Sequence, residues 1–106
     1  MDAFAALAEP NRRRILGALR GGARSVGDLV AALELPQPMV SKHLRVLREA
    51  AFVTCRGAAQ RRIYGLDPRS FAALDAWLAP YRALWTHHLD ALERHLDRRS
   101  SSDDEP

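Results

Sequence analysis

The chain has little cysteine, little lysine and no long apolar run. With Cys55 as its one cysteine in 106 residues, it cannot hold a framework of internal disulfides. No stretch approaches the ~20 consecutive apolar residues of a membrane-spanning helix. The first ten residues lack the charged start and long apolar core of a secretory signal. A cytoplasmic protein is therefore expected. There is no Gly-rich phosphate loop, no Ser or Cys with an evident His and acid, and no carboxylate pair in an apolar setting. An enzyme is accordingly not expected, nor is a cofactor.

What is present is a chain that is 47% hydrophobic, enough for one small core. Lys42 is the single lysine among 16 basic side chains, and the net charge is +3. Asp103, Asp104 and Glu105 crowd the C-terminus; without them the balance is +6. That suits a polyanionic partner without naming one. We expect one domain over residues 1–98 and a disordered acidic tail over 99–106.

Helical periodicity dominates. Phe4 and Leu7 lie on a short apolar helix over residues 2–8. Pro10 suits the first turn of the next helix, where its missing N–H costs nothing. Ile15, Leu16 and Leu19 form that helix's buried stripe, and Gly21-Gly22 ends it. Arg12, Arg13 and Arg14 sit near its start, the unfavourable end for positive charge. They read equally as a solvated face or as phosphate contacts.

The most informative stretch is 25–56. Val26, Leu29, Val30 and Leu33 share one helix face, and Ser25 with Asp28 is spaced as a capping box. After the short break Glu34-Leu35-Pro36, Val40, Leu44 and Leu47 define a second apolar face. Opposite them lie Gln37, Ser41, Lys42, Arg45 and Arg48, all able to bond a base edge or a phosphate, and none acidic. His43, beside that face, is expected to brace the helix. Two short helices joined this tightly, the second with a basic face, read as a helix-turn-helix entering a DNA major groove.

Beyond Ala51 the period changes. Residues 52–56 and 61–66 are strand-like, with Gly57-Ala58-Ala59-Gln60 between them. This predicts a two-stranded hairpin bracketed by Arg56, Arg61 and Arg62, placed as a wing. Further on, Leu74, Leu78, Tyr81, Trp85, Leu89, Leu92 and Leu96 recur at spacings of 4, 3, 4, 4, 3 and 4, a near-heptad stripe on a long helix. Pro80 is expected to kink or break it. The stripe, with both Trp residues on or beside it, is expected to meet a symmetry mate.

The run Gln37-Pro38-Met39-Val40-Ser41-Lys42-His43-Leu44-Arg45-Val46-Leu47-Arg48-Glu49-Ala50 resembles the ArsR-type winged helix-turn-helix repressors. Supporting it are Leu7-Ala8-Glu9-Pro10-Asn11-Arg12-Arg13-Arg14-Ile15-Leu16, Ser25-Val26-Gly27-Asp28-Leu29 and Arg61-Arg62-Ile63-Tyr64-Gly65-Leu66. The resemblance covers nearly the whole ordered length. It implies a mainly α fold with a two-stranded hairpin, homodimeric through the N- and C-terminal helices, repressing its own promoter region. It implies DNA contact at Gln37, Pro38, Ser41 and Lys42 with the hairpin as wing. The face analysis adds Arg45, and the hairpin adds Arg56, Gln60, Arg61 and Arg62. Dimer contacts are expected from Phe4, Leu7, Leu78, Tyr81, Trp85, Leu89 and Leu92. Two positions depart from the family: Pro36 where a capping residue is usual, and Ala51 where Gly is usual.

Many such proteins release DNA on binding metal, and the resemblance locates two kinds of site. A Cys-Val-Cys-Asp-Leu run reads Ser25-Val26-Gly27-Asp28-Leu29 here, without either thiolate. An Asp-x-His and His-x-x-Glu pair reads Asp75-Ala76-Trp77 and His88-Leu89-Asp90-Ala91, with two of four ligand positions apolar. No metal site is expected. The rival readings are a metal- or thiol-responsive repressor of the same fold, with Cys55 as the thiol, and a helical protein-interaction module. A small-molecule inducer is left open.

Overall fold

The computed structural model describes residues 2–58 and 61–103, with the side chains of 100–103 excepted. The elements run α1 (Ala3–Ala8), α2 (Pro10–Leu19), β1 (Arg24–Ser25), α3 (Val26–Leu33), α4 (Gln37–Glu49), β2 (Val53–Arg56), β3 (Ile63–Leu66) and α5 (Pro68–Asp103). They divide into two units, Met1–Leu74 and Asp75–Pro106.

The first unit holds the core. Ala6, Ile15, Leu16, Leu19, Leu29, Val40, Leu44, Leu47, Phe52, Val53 and Tyr64 are buried together. Helix α2 buries Ile15, Leu16 and Leu19 and α4 buries Val40, Leu44 and Leu47, as their periods predict, whereas α3 fully buries only Leu29 of its stripe and α1 only Ala6. Local chemistry fixes the ends. Asp2 caps α1 by accepting from the Ala5 N–H at 2.7 Å, and Glu9 caps α2 in front of Pro10. The Ser25–Asp28 capping box is formed in both directions.

The end of α4 follows a standard stop signal with an unusual residue in it. The Phe52 N–H donates to the Leu47 carbonyl at 2.9 Å and the Ala51 N–H to Arg48 at 3.1 Å. That is a Schellman closure, which needs a left-handed residue between helix and exit. Ala51 occupies that place at φ 60°. The start of α5 then clasps the same corner. Asp67 N–H donates to the Phe52 carbonyl at 2.8 Å, and the Ser70 hydroxyl donates to the Ala50 carbonyl. Phe71 meets Phe52 edge to face, with centroids 5.0 Å apart.

The sheet differs from the expected two-stranded hairpin. It has three antiparallel strands in the order β1-β3-β2, because Arg24 and Ser25 pair with Tyr64 and Ile63. A lone hairpin is marginal in water. The extra strand anchors it to the start of α3, since Ser25 both ends β1 and caps α3. Across β2 and β3, Cys55 faces Tyr64 and Arg56 faces Ile63. Gly57 opens the turn at φ 92°, where a Cβ would collide with the Arg61 carbonyl. Gly is required there on both counts.

The second unit is helical. The helix α5 continues through Pro80, which neither breaks it nor supplies an N–H to the preceding turn. The tail expected to be disordered from residue 99 is helical as far as Asp103, and 104–106 lie outside the described residues. In this unit Tyr81, Leu84, Trp85, Leu89, Leu92 and Leu96 stand 45–70% exposed. Trp77 and Tyr81 stack with ring centroids 4.8 Å apart. Asp75 pairs with Arg82. Among the described residues, no helix is long and apolar enough to cross a membrane.

Candidate nucleic-acid interface

Two elements present polar side chains to one groove, and β1 places a third beside them. Helix α4 buries Val40, His43, Leu44 and Leu47, so its other face carries Gln37, Ser41, Arg45 and Arg48 into solvent. Strand β3 brings Tyr64, with Arg62 just before it. The pairing of β1 with β3 sets Ser25, Val26 and Gly27, at the start of α3, alongside. These nine residues line a groove of about 870 Å³. Among the described residues it gathers three guanidiniums and no carboxylate. Such a surface attracts a polyanion and offers amide and hydroxyl groups for hydrogen bonding.

The expected site residues divide as follows. Gln37, Ser41, Arg45 and Arg62 line this groove. Pro38 and Lys42 are exposed on α4 outside its lining, and Arg56 and Arg61 are exposed on the wing. Gln60 lies outside the described residues. Arg48, Tyr64 and the Ser25–Gly27 segment join the groove without having been assigned to the interface from sequence. Arg48 was visible on the polar face of α4. Tyr64 was hidden, because which side of a short strand faces the groove depends on register.

Tyr64 is 8% exposed. Burial pushes its phenol above the usual range, and the neighbouring Cys55 thiol adds to this; the Arg62 guanidinium acts the other way. The phenol is therefore neutral at physiological pH, able to donate a hydrogen bond at the floor of the groove.

The three arginines of α2 have partners within the chain, although Arg13 and Arg14 are also exposed to solvent. Arg12 donates to the Ala6 and Ala5 carbonyls, Arg13 to Leu7, and Arg14 to Leu33. They close the carbonyl ends of α1 and α3, which have no partners within those helices. His43, placed beside the DNA face from sequence, is instead 9% exposed on the inner side of α4.

Of the expected dimer residues, Leu7 is partly buried against the core and Phe4 is 50% exposed. Leu78 is half-buried, while Tyr81, Trp85, Leu89 and Leu92 are exposed on α5. Among the described residues, no group of three or more His, Cys, Asp or Glu side chains is placed to hold a metal ion.

Comparison with known proteins adds to this geometry. A family model described as a helix-turn-helix domain matches residues 7–56. The HTH-type transcriptional regulator Rv2034 of Mycobacterium tuberculosis is 40% identical over 102 residues, 96% of this chain and 91% of that protein. The HTH-type transcriptional repressor SmtB of the same species is 42% identical over 73 residues, 67% of this chain but only 54% of that protein. Among solved structures, a possible transcriptional regulator for arsenical resistance superposes with a TM-score of 0.69 at 37% identity, covering 90% of this chain and 96% of that one. An ArsR family transcriptional regulator superposes with a TM-score of 0.69 at 31% identity, covering 78% of this chain and 91% of that one.

Proposed function

The chain belongs to the ArsR family of helix-turn-helix transcriptional regulators, and from that premise we propose that it acts as a cytoplasmic homodimeric repressor reading an inverted-repeat operator. One observation carries the reading: the outer face of α4 and the arginine beside β3 converge on a single groove lined without a carboxylate among the described residues.

In this reading α4 enters the major groove. Gln37 and Ser41 contact base edges, an amide and a hydroxyl that can each donate and accept. Lys42, Arg45 and Arg48 hold phosphates on either side. Arg56, Arg61 and Arg62 on the wing take the neighbouring backbone. Phosphate contacts supply affinity and fix register; base contacts supply discrimination.

A single unit of this size reads only a few base pairs. Two units on a two-fold axis read half-sites about one helical turn, ~34 Å, apart. The exposed stripe of α5 supports the pairing. Covering a large apolar side chain is worth about 1.5–3 kcal/mol, and Tyr81, Trp85, Leu89 and Leu92 are each 45–59% exposed in one chain. A second copy covers them in both partners at once.

Selection of duplexes from a random pool tests the proposal. The expected product is an inverted repeat with half-sites one turn apart. Recovery of no preferred sequence, or of an isolated half-site, contradicts it.

A further inference from the structure

On the far side of α4 from the groove, two side chains from the start of α2 lie against one from α4. Arg12 has each of its guanidinium nitrogens engaged. Nε donates to the Ala6 carbonyl at 2.6 Å, Nη2 donates to the Ala5 carbonyl at 3.2 Å, and Nη1 lies 3.5 Å from Nδ1 of His43. The planar, permanently charged guanidinium is thereby fixed between the end of α1 and the inner face of α4. Glu9 accepts from the Arg12 backbone N–H at 3.0 Å through Oε2, and the same oxygen lies 3.6 Å from Nε2 of His43.

A guanidinium N–H can only donate, so Nδ1 of His43 is placed to accept from Arg12, while Nε2 faces the Glu9 carboxylate at 3.6 Å, beyond hydrogen-bond length. His43 thus has the Arg12 guanidinium as a hydrogen-bond partner on one side and the Glu9 carboxylate close by on the other. Its helical neighbours on the inner face, Val40, Leu44 and Leu47, are fully buried and apolar.

A polar ring in such a place has no advantage in stability. Burying it costs free energy unless its partners are supplied, and an apolar side chain of similar volume does at least as well. What directed contacts add is orientation. Apolar packing permits small rotations and slides of a helix, whereas hydrogen-bonding groups aimed at fixed partners resist them. Ser41 lies two residues before His43, about 200° round the helix. A rotation at the ring therefore appears at the base-reading face, where productive geometry tolerates only about 0.5 Å.

We propose that Glu9, Arg12 and His43 are positioning residues that hold α4 in the rotation needed to discriminate operator from other DNA. None of the three lines the groove. The proposal rests on the reading of α4 as the DNA-contacting helix.

The test compares wild type with His43→Leu and His43→Gln. Each is measured for melting temperature and for affinity toward a duplex selected by the wild type and toward a scrambled duplex, at one salt concentration. His43→Leu should melt at or above the wild-type temperature while its selected-to-scrambled affinity ratio falls about tenfold. His43→Gln, whose amide can accept from Arg12 and donate toward Glu9, should keep the ratio within about threefold of wild type. A wild-type ratio in His43→Leu overturns the proposal, as does an equal fall in His43→Gln. If the His43 variants do not fold, Arg12→Lys decides: it keeps the charge and loses the fork, and an unchanged ratio overturns the proposal. If the wild type itself prefers no sequence, the DNA-reading role of α4 fails and this proposal falls with it.

Discussion

Arg14 reaches from α2 to the last turn of α3, donating to the Leu33 carbonyl at 2.9 Å while its other terminal nitrogen donates to Asn11 Oδ1 at 3.1 Å. A basic side chain at the positive end of its own helix thereby serves the negative end of the next. Arg14→Ala should cost about 0.5–1.5 kcal/mol of stability. It should leave the salt dependence of DNA binding unchanged. Denaturant unfolding and a salt titration check the two halves separately.

The wing and α4 arginines should behave in the opposite way. Replacing Arg48, Arg56, Arg61 or Arg62 with Ala should lower the slope of log K against log salt by ~0.9 for each phosphate contact removed. Folding stability should change little, since all four are exposed. An unchanged slope in all four variants means that the wing and the end of α4 do not touch the backbone.

Ala51 at φ 60° holds a place that glycine fills without strain. The left-handed conformation costs an L-residue roughly 1–2 kcal/mol, offset in part by the greater unfolded-state freedom of glycine. Ala51→Gly should therefore stabilise the protein by up to about 1 kcal/mol. Urea unfolding measures it, with the sign as the decisive outcome.

Asp67 accepts from both the backbone and the side chain of Arg69, which hold its carboxyl below the usual carboxylate range against an opposing effect of burial. A carboxyl lowered on folding contributes stability that is fully present above its unfolded value, near 3.8, and is lost as the pH falls through its folded value. Asp67→Asn should therefore lower stability at neutral pH and narrow the difference between neutral and strongly acidic solution. Unfolding at pH 7 and pH 3 tests this; equal acid sensitivity in variant and wild type contradicts it.

Trp85→Ala should give a chain that sediments as a monomer and loses the inverted repeat, with no groove residue altered. A dimer with normal operator affinity would place the interface elsewhere.

The helices were legible because their apolar residues follow a 3.6 period, and α3 also carries a capping box at its start, whereas α4 begins behind Pro36 with no side-chain cap. Four residues on one stripe, Val40, His43, Leu44 and Leu47, show the limit of that reading. His43 keeps the period but breaks the hydrophobic pattern, so its burial depends on partners from α2 that no local pattern reveals. The same applies to Arg12, Arg13 and Arg14, whose acceptors are carbonyls brought close only by packing. Strand β1 is two residues long, too short to alternate, and it exists because β3 is there to pair with it. The groove inherits this. Its α4 wall could be read from the face of one helix, whereas Tyr64 and the start of α3 enter it through strand register.

Base reading by α4 is the centre of this account, and one comparison tests it most directly. Fluorescence anisotropy would measure Gln37→Ala and Ser41→Ala against the selected duplex and against a scrambled duplex of equal length and salt. The account predicts a loss of ~1–3 kcal/mol per half-site on the selected duplex, with binding to the scrambled one unchanged. Equal losses on both duplexes would contradict it.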